Sequence, residues 1–117
     1  MFHPLSILLA AGLTLPSLPA QWRAAGPATV RLSPGDLRAV GEAANSLLAQ
    51  EPPALGQSAR WSNAETGRNG AITLLDASVW RNMPCRRMRF EVTAAADLHH
   101  YELRLCRIAN GQWKIAE

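Results

Sequence analysis

The sequence predicts an α+β domain in which one helix packs on an antiparallel sheet of about four strands in a meander, closed by a single disulfide. Three observations predict it. Apolar residues recur at helical spacing over 34 to 50; from about residue 60 the pattern changes to short alternating segments divided by turn signals; and the two cysteines, Cys85 and Cys106, fall in two of those segments. At 117 residues the chain holds one domain at most.

The first twenty positions read as a leader. They contain no Lys, Arg, Asp or Glu, and the run "LSILLAAGLTL" at 5 to 15 is too short for a hydrocarbon core that needs about twenty residues. It fits the apolar region of a secretory signal. Pro16 and Pro19 break a helix, and "LPA" at 18 to 20 offers a small residue for cleavage after Ala20. The amino-terminal "MFHP" is poor in positive charge, so a retained anchor and a misassigned start codon stay open as alternatives. No cysteine lies near the cleavage point to carry a lipid. Residues 21 to 32 show no period, contain Gly26-Pro27, and are expected to form a flexible lead-in to a domain over 33 to 117.

The helix is marked at both ends. Ser33 is a good N-cap, Pro34 suits the first helical position, and Asp36 completes an arrangement similar to a capping box, with a side chain shorter than the usual Glu. Leu37, Val40, Ala44, Leu47 and Leu48 then share one face. Gly41 weakens the helix by about 1 kcal/mol, so packing must hold it. Glu51-Pro52-Pro53 stops it.

Among the strands, "RWSN" at 60 to 63 is the first, "AETGRNG" at 64 to 70 a glycine-bearing turn, and "AITLLDASVWR" at 71 to 81 an extended segment expected to bend near Asp76. Asn82-Met83-Pro84 turns the chain into the next strand. Asn110-Gly111 signals a two-residue hairpin between "CRIA" and "QWKIA".

The thiols admit three uses: metal, chemistry or a bridge. In an exported chain this small, a bridge is the common one. Alternation puts Cys85, Arg87, Arg89 and Glu91 on one face of their strand, and His100, Glu102, Arg104 and Cys106 on one face of theirs. Setting Cys85 against Cys106 pairs Arg89 with Glu102, Glu91 with His100, Met88 with Leu103 and Phe90 with Tyr101, leaving Arg87 against Arg104 as the one unfavourable pair. The connection is then "TAAADL" at 93 to 98. Carried past Cys106, the alternation puts Ile108, Trp113 and Ile115 on the disulfide side. Either a bulge near Arg107 resets the register, or these residues form a second small cluster over the bridge with Trp61; the second cluster is preferred.

Catalytic and metal signatures are missing from the sequence. There is no G-x-S-x-G and no glycine-rich phosphate loop, and "ETGRNG" opens no helix. His99 and His100, as neighbours on a strand, point to opposite faces and cannot share a metal; no cofactor is expected. The net charge of +3, almost all of its cations arginine, is too small to imply nucleic acid, and Trp80 and Trp113 are expected in the core. Arg87, Arg89 and Arg104, with Arg81 nearby, form the candidate contact face, because guanidinium matches phosphate and carboxylate geometry. The competing reading is a solvated face neutralised by Glu91 and Glu102.

"WSNAETGRNGAIT" at 61 to 73, "CRRMRF" at 85 to 90, "LCR" at 105 to 107 and "NGQWKI" at 110 to 115 resemble, in order and spacing, the conserved domain of the bacterial seventeen-kilodalton surface-antigen family. The residues that carry the likeness are Trp61, Asn63, Thr66, Gly67, Gly70, Cys85, Arg86, Cys106, Arg107, Gly111 and Trp113, within 60 to 116, about half the chain. The resemblance implies a non-enzymatic, exported envelope protein of Gram-negative bacteria with a small α+β or β-rich domain. The chain departs from the family in lacking a lipoprotein cysteine and a glycine-rich membrane-seeking segment ahead of the domain, which makes a periplasmic place the expectation rather than surface display. It also has "TAAADLHH" where members carry a glycine-bearing polar hairpin.

The function expected is a structural or interaction module touching an anionic envelope lipid or glycan, or an envelope protein. The alternative is a small secreted inhibitor of a lytic enzyme or protease, for which stiff hairpins are suited.

Overall fold

The computed structural model describes residues 2 to 4 and 31 to 116. The leader expected over 1 to 20 and most of the lead-in over 21 to 32 lie outside the described residues, apart from a three-residue strand β1, Phe2–Pro4. Among the described residues one helix, α1 (Pro34–Leu48), precedes five strands: β2 (Ser58–Asn63), β3 (Arg68–Trp80), β4 (Met83–Ala94), β5 (Asp97–Arg107) and β6 (Trp113–Ala116). All neighbours are antiparallel, in the order β1-β6-β5-β4-β3-β2, so β2 to β6 form a meander and β1 adds to its far edge. The expected class holds, with a fifth strand in the meander because Trp113–Ala116 pairs with residues 104 to 107 of β5. None of the helices among the described residues is long and apolar enough to cross a membrane.

The helix forms as its caps dictate. Ser33 accepts from the Asp36 amide at 3.0 Å while the Asp36 carboxylate accepts from the Ser33 amide at 2.9 Å, a reciprocal box that satisfies two otherwise orphaned donors. Leu37, Val40, Ala44, Leu47 and Leu48 are all buried, and α1 lies chiefly against β2 and β3. Ile72, Leu74, Met88, Phe90, Val92 and Leu105 complete the core beneath it. At about 25 cal/mol per Å² of apolar area, this layer supplies the main favourable term of folding. Among the described residues the opposite face of the sheet carries no helix.

The β4–β5 register is the expected one throughout, with Cys85 opposite Cys106, Arg89 opposite Glu102, Glu91 opposite His100, Met88 opposite Leu103, Phe90 opposite Tyr101 and Arg87 opposite Arg104. Phe90 and Tyr101 stack with centroids 5.4 Å apart. Pairing runs further than expected, to Ala94 opposite Asp97, so "TAAADL" is not a six-residue loop. Two alanines make the turn, with Ala95 at φ 56 in a conformation usually given to glycine or asparagine.

Two other expectations fail for reasons of parity. The β5–β6 connection is not a two-residue hairpin at Asn110-Gly111 but five residues, 108 to 112, closed by Ile108 N–H donating to Gln112 O at 2.8 Å and turned by Gly111 at φ 89. Leu105 therefore pairs with Ile115 and Arg107 with Trp113. Shifting a register by one residue moves every side chain to the other face. Trp113 and Ile115 accordingly join the main core, together with Trp61, and no second cluster of them forms over the bridge.

The bend expected near Asp76 is a β-bulge between Leu74 and Asp76. It also inverts parity. Ile72 and Leu74 face the helix, but beyond the bulge Ser78 pairs with Cys85 and Trp80 with Met83 on the outer side. Trp80 thus leaves the expected core and packs with Met83 around Cys85, Cys106 and Ala116. The turn expected at Asn82-Met83-Pro84 lies one residue earlier, at Arg81-Asn82, and "RNG" at 68 to 70 belongs to β3 rather than to the turn before it.

Candidate functional site

Polar chemistry concentrates in three places. The first is inside. Asp36 is fully buried, and its carboxylate collects four donors: Asn63 Nδ2 at 2.9 Å and Thr66 Oγ1 at 2.7 Å on one oxygen, Ser33 N at 2.9 Å and Arg68 Nη1 at 2.8 Å on the other. Burial raises its pKa, but the hydrogen bonds from Ser33, Thr66, Arg68 and Asn63 outweigh that and hold the carboxyl at about 2. The first turn of α1 is thereby fastened to the β2–β3 hairpin.

That fastening explains much of the motif around Trp61. Asn63 also accepts from Glu65 N at 3.1 Å and receives Gly67 N–H on its carbonyl at 2.8 Å, while Gly67 turns the chain at φ 74. Gly70 sits directly opposite Trp61, and a side chain there would collide with the Glu91 carbonyl and the Trp61 indole. Trp61, Asn63, Thr66, Gly67 and Gly70 are therefore a folding device. The sequence marked Asp36 only as a short capping-box acid, because its other partners are 27 to 32 positions away.

The second place is the disulfide end of the sheet. Cys85 and Cys106 are bonded and buried on the outer side. Since neighbours along a strand point to opposite faces, Arg86 and Arg107 emerge on the inner side. Arg86, only 5% exposed, lies 5.3 Å from the Trp113 ring centroid and Arg107 5.6 Å from it, and both guanidiniums stand 3.6 Å from one Glu51 oxygen. Arg86 also donates to the Cys85 carbonyl at 3.0 Å. The two Cys-Arg dipeptides and Trp113 thus build one clamp over the end of the core.

The third place is the outer face, where Arg87, Arg89 and Arg104 come together as expected. Arg87 Nη1 lies 2.8 Å from Glu102 and Arg89 Nη2 3.9 Å from the same carboxylate. Arg104 stacks over Trp80 at 4.5 Å, and Arg81 at 4.4 Å. Strand parity adds Arg60 and Lys114 to this side, against Asp76, Glu91 and Glu102. Cations exceed acids, and the side chains of Arg87 and Arg89 are 49% and 45% exposed.

Nothing in these three places makes a nucleophile and base pair. His99 and His100 pair with Val92 and Glu91 and so point to opposite sides. Among the described residues no three His, Cys, Asp or Glu gather where a metal would sit. An open groove of about 380 Å³ between α1 and β2 has Glu42, Ser46, Arg60 and Ser62 among its lining residues, beside Ala39, Ala43, Ala59 and Trp61.

Comparison with protein families, with curated proteins and with solved structures finds no match to this chain.

Proposed function

We propose that the protein is a non-enzymatic exported module that contacts anionic components of the cell envelope through the outer face of its sheet. The observation that carries this reading is the imbalance on that face. Among the described residues Arg60, Arg81, Arg87, Arg89, Arg104 and Lys114 lie on that side with Asp76, Glu91 and Glu102, and one carboxylate, Glu102, serves two of the arginines. Exposed ion pairs of this kind are worth about 0 to 1 kcal/mol, so a phosphate or carboxylate ligand displaces them at little cost. The disulfide supports an oxidising compartment such as the periplasm. The motif resemblance to the bacterial surface-antigen family supports the same setting.

The test is retention on an immobilised acidic polysaccharide and on anionic lipid across a salt gradient. Arg87→Ala with Arg89→Ala should elute at clearly lower salt than the unaltered chain; equal elution would refute the reading. A second reading, a secreted inhibitor of a lytic enzyme or protease, draws on the projecting β3–β4 end locked behind the disulfide. Salt-insensitive inhibition of a hydrolase would favour it.

A further inference from the structure

The β3–β4 hairpin outruns the rest of the sheet. Pairing of β5 with β4 begins at Cys85, and β2 reaches only to Thr73 on β3, so among the described residues Val79 opposite Pro84 and Trp80 opposite Met83 are flanked by no other strand. The tip turns through Arg81 at φ 51 and Asn82 at φ 64, where glycine or asparagine is usual at both positions. Val79 is 74% exposed on one side of the ribbon, and Trp80 and Met83 are half-buried on the other. Residues 77 to 90 contain no Asp or Glu. The tip is apolar on both faces and ringed by cation.

We infer that the tip, Val79 to Pro84, is a lipid-contact element that seats Val79, Trp80 and Met83 at the boundary between headgroups and acyl chains of an anionic phospholipid layer. A flat protein surface would meet one side of the ribbon, whereas a lipid interface accepts apolar surface on both sides at once. Indole is suited to that boundary by its apolar body and polar N–H. Arg81 and Arg104, both stacked within 4.5 Å of the Trp80 ring centroid, hold their planar donors beside the place where lipid phosphates lie. The disulfide one residue behind Pro84 ties β4 to β5 at the root of the ribbon. This inference rests on the anionic-partner reading above and narrows that partner to a bilayer surface.

The test uses protein purified as the cell processes it, oxidised, with vesicles of phosphatidylglycerol mixed into phosphatidylcholine and of phosphatidylcholine alone. The unaltered chain should sediment with the anionic vesicles, and brominated acyl chains should quench fluorescence that Trp80→Phe removes. Val79→Asp with Met83→Ser should weaken sedimentation about ten-fold, as loss of buried apolar groups at an interface does. Val79→Asp alone, at a solvent-exposed position, provides the same test without touching the disulfide cluster. Sedimentation of both variants equal to the unaltered chain overturns the inference, as does an unaltered chain that ignores anionic vesicles. If vesicles are ignored while the acidic polysaccharide is bound, the sheet-face reading stands and the lipid inference falls. If only Arg87→Ala with Arg89→Ala loses the vesicles, contact is through the face and the tip does not insert.

Discussion

Two of the places where arginine meets carboxylate, the buried cluster around Asp36 and the outer face around Glu102, are built in opposite ways. Around Asp36 one fully buried acid receives Ser33, Asn63, Thr66 and Arg68, and every lone-pair direction it offers is used. On the outer face Arg87 and Arg89 share the half-exposed Glu102, and Arg104 leans on a ring instead of an acid. A buried acid must be saturated to be tolerated, so its cluster has nothing left for a ligand. A solvated surplus of cation costs little to keep and is available to a partner.

The largest effect should come from the inner cluster. Asp36→Ala strands Asn63, Thr66 and the Ser33 amide, and should cost about 3 to 5 kcal/mol in urea unfolding, as breaking a buried charged pair does. An unchanged midpoint would mean that the helix docks without it. Next comes the staple. Cys85→Ser with Cys106→Ser opens a closure between residues 21 apart and should lower stability by about 3 kcal/mol.

Acid should report on Asp36 as well. Its carboxyl titrates at about 2 in the folded chain against an ordinary 3.8, so its folded pKa is depressed. The contribution is present above the ordinary value, on the order of 2 kcal/mol, and is lost as pH falls through about 4 toward 2. Asp36→Asn should flatten that part of the stability profile; an equally steep profile would assign acid sensitivity to other carboxylates. The smallest effect belongs to the outer face. Arg87→Ala with Arg89→Ala should alter unfolding by no more than about 1 kcal/mol while changing anion binding. A large loss of stability there would erase the contrast between the two places.

What the sequence made legible follows the same division. The β4–β5 pairing could be read because charges, apolar residues and both cysteines agree on a single alignment. The helix could be read from Ser33, Pro34 and the spacing of its apolar face. What escaped were parity changes with no strong local mark. The bulge before Asp76 inverts Trp80, and the odd length of the connection at 108 to 112 returns Trp113 and Ile115 to the core. Ala95-Ala96 turns a hairpin without glycine or asparagine, so the strands seemed to stop short. The inner cluster escaped because hydrogen bonds across some thirty residues leave no periodicity; Ser33 and Asp36 were visible as a cap and Asn63 and Thr66 as motif residues, with nothing local to join them.

The clamp at the disulfide end also bears on how the chain selects its own pairing. Each Cys-Arg dipeptide sends sulfur to one side of the sheet and guanidinium to the other. Were β5 to slide by a single residue against β4, the two sulfurs would lie on opposite sides and could not oxidise together, and Arg86 and Arg107 could no longer share the ring of Trp113. The bond is thus compatible with the observed alignment and not with its one-residue neighbours.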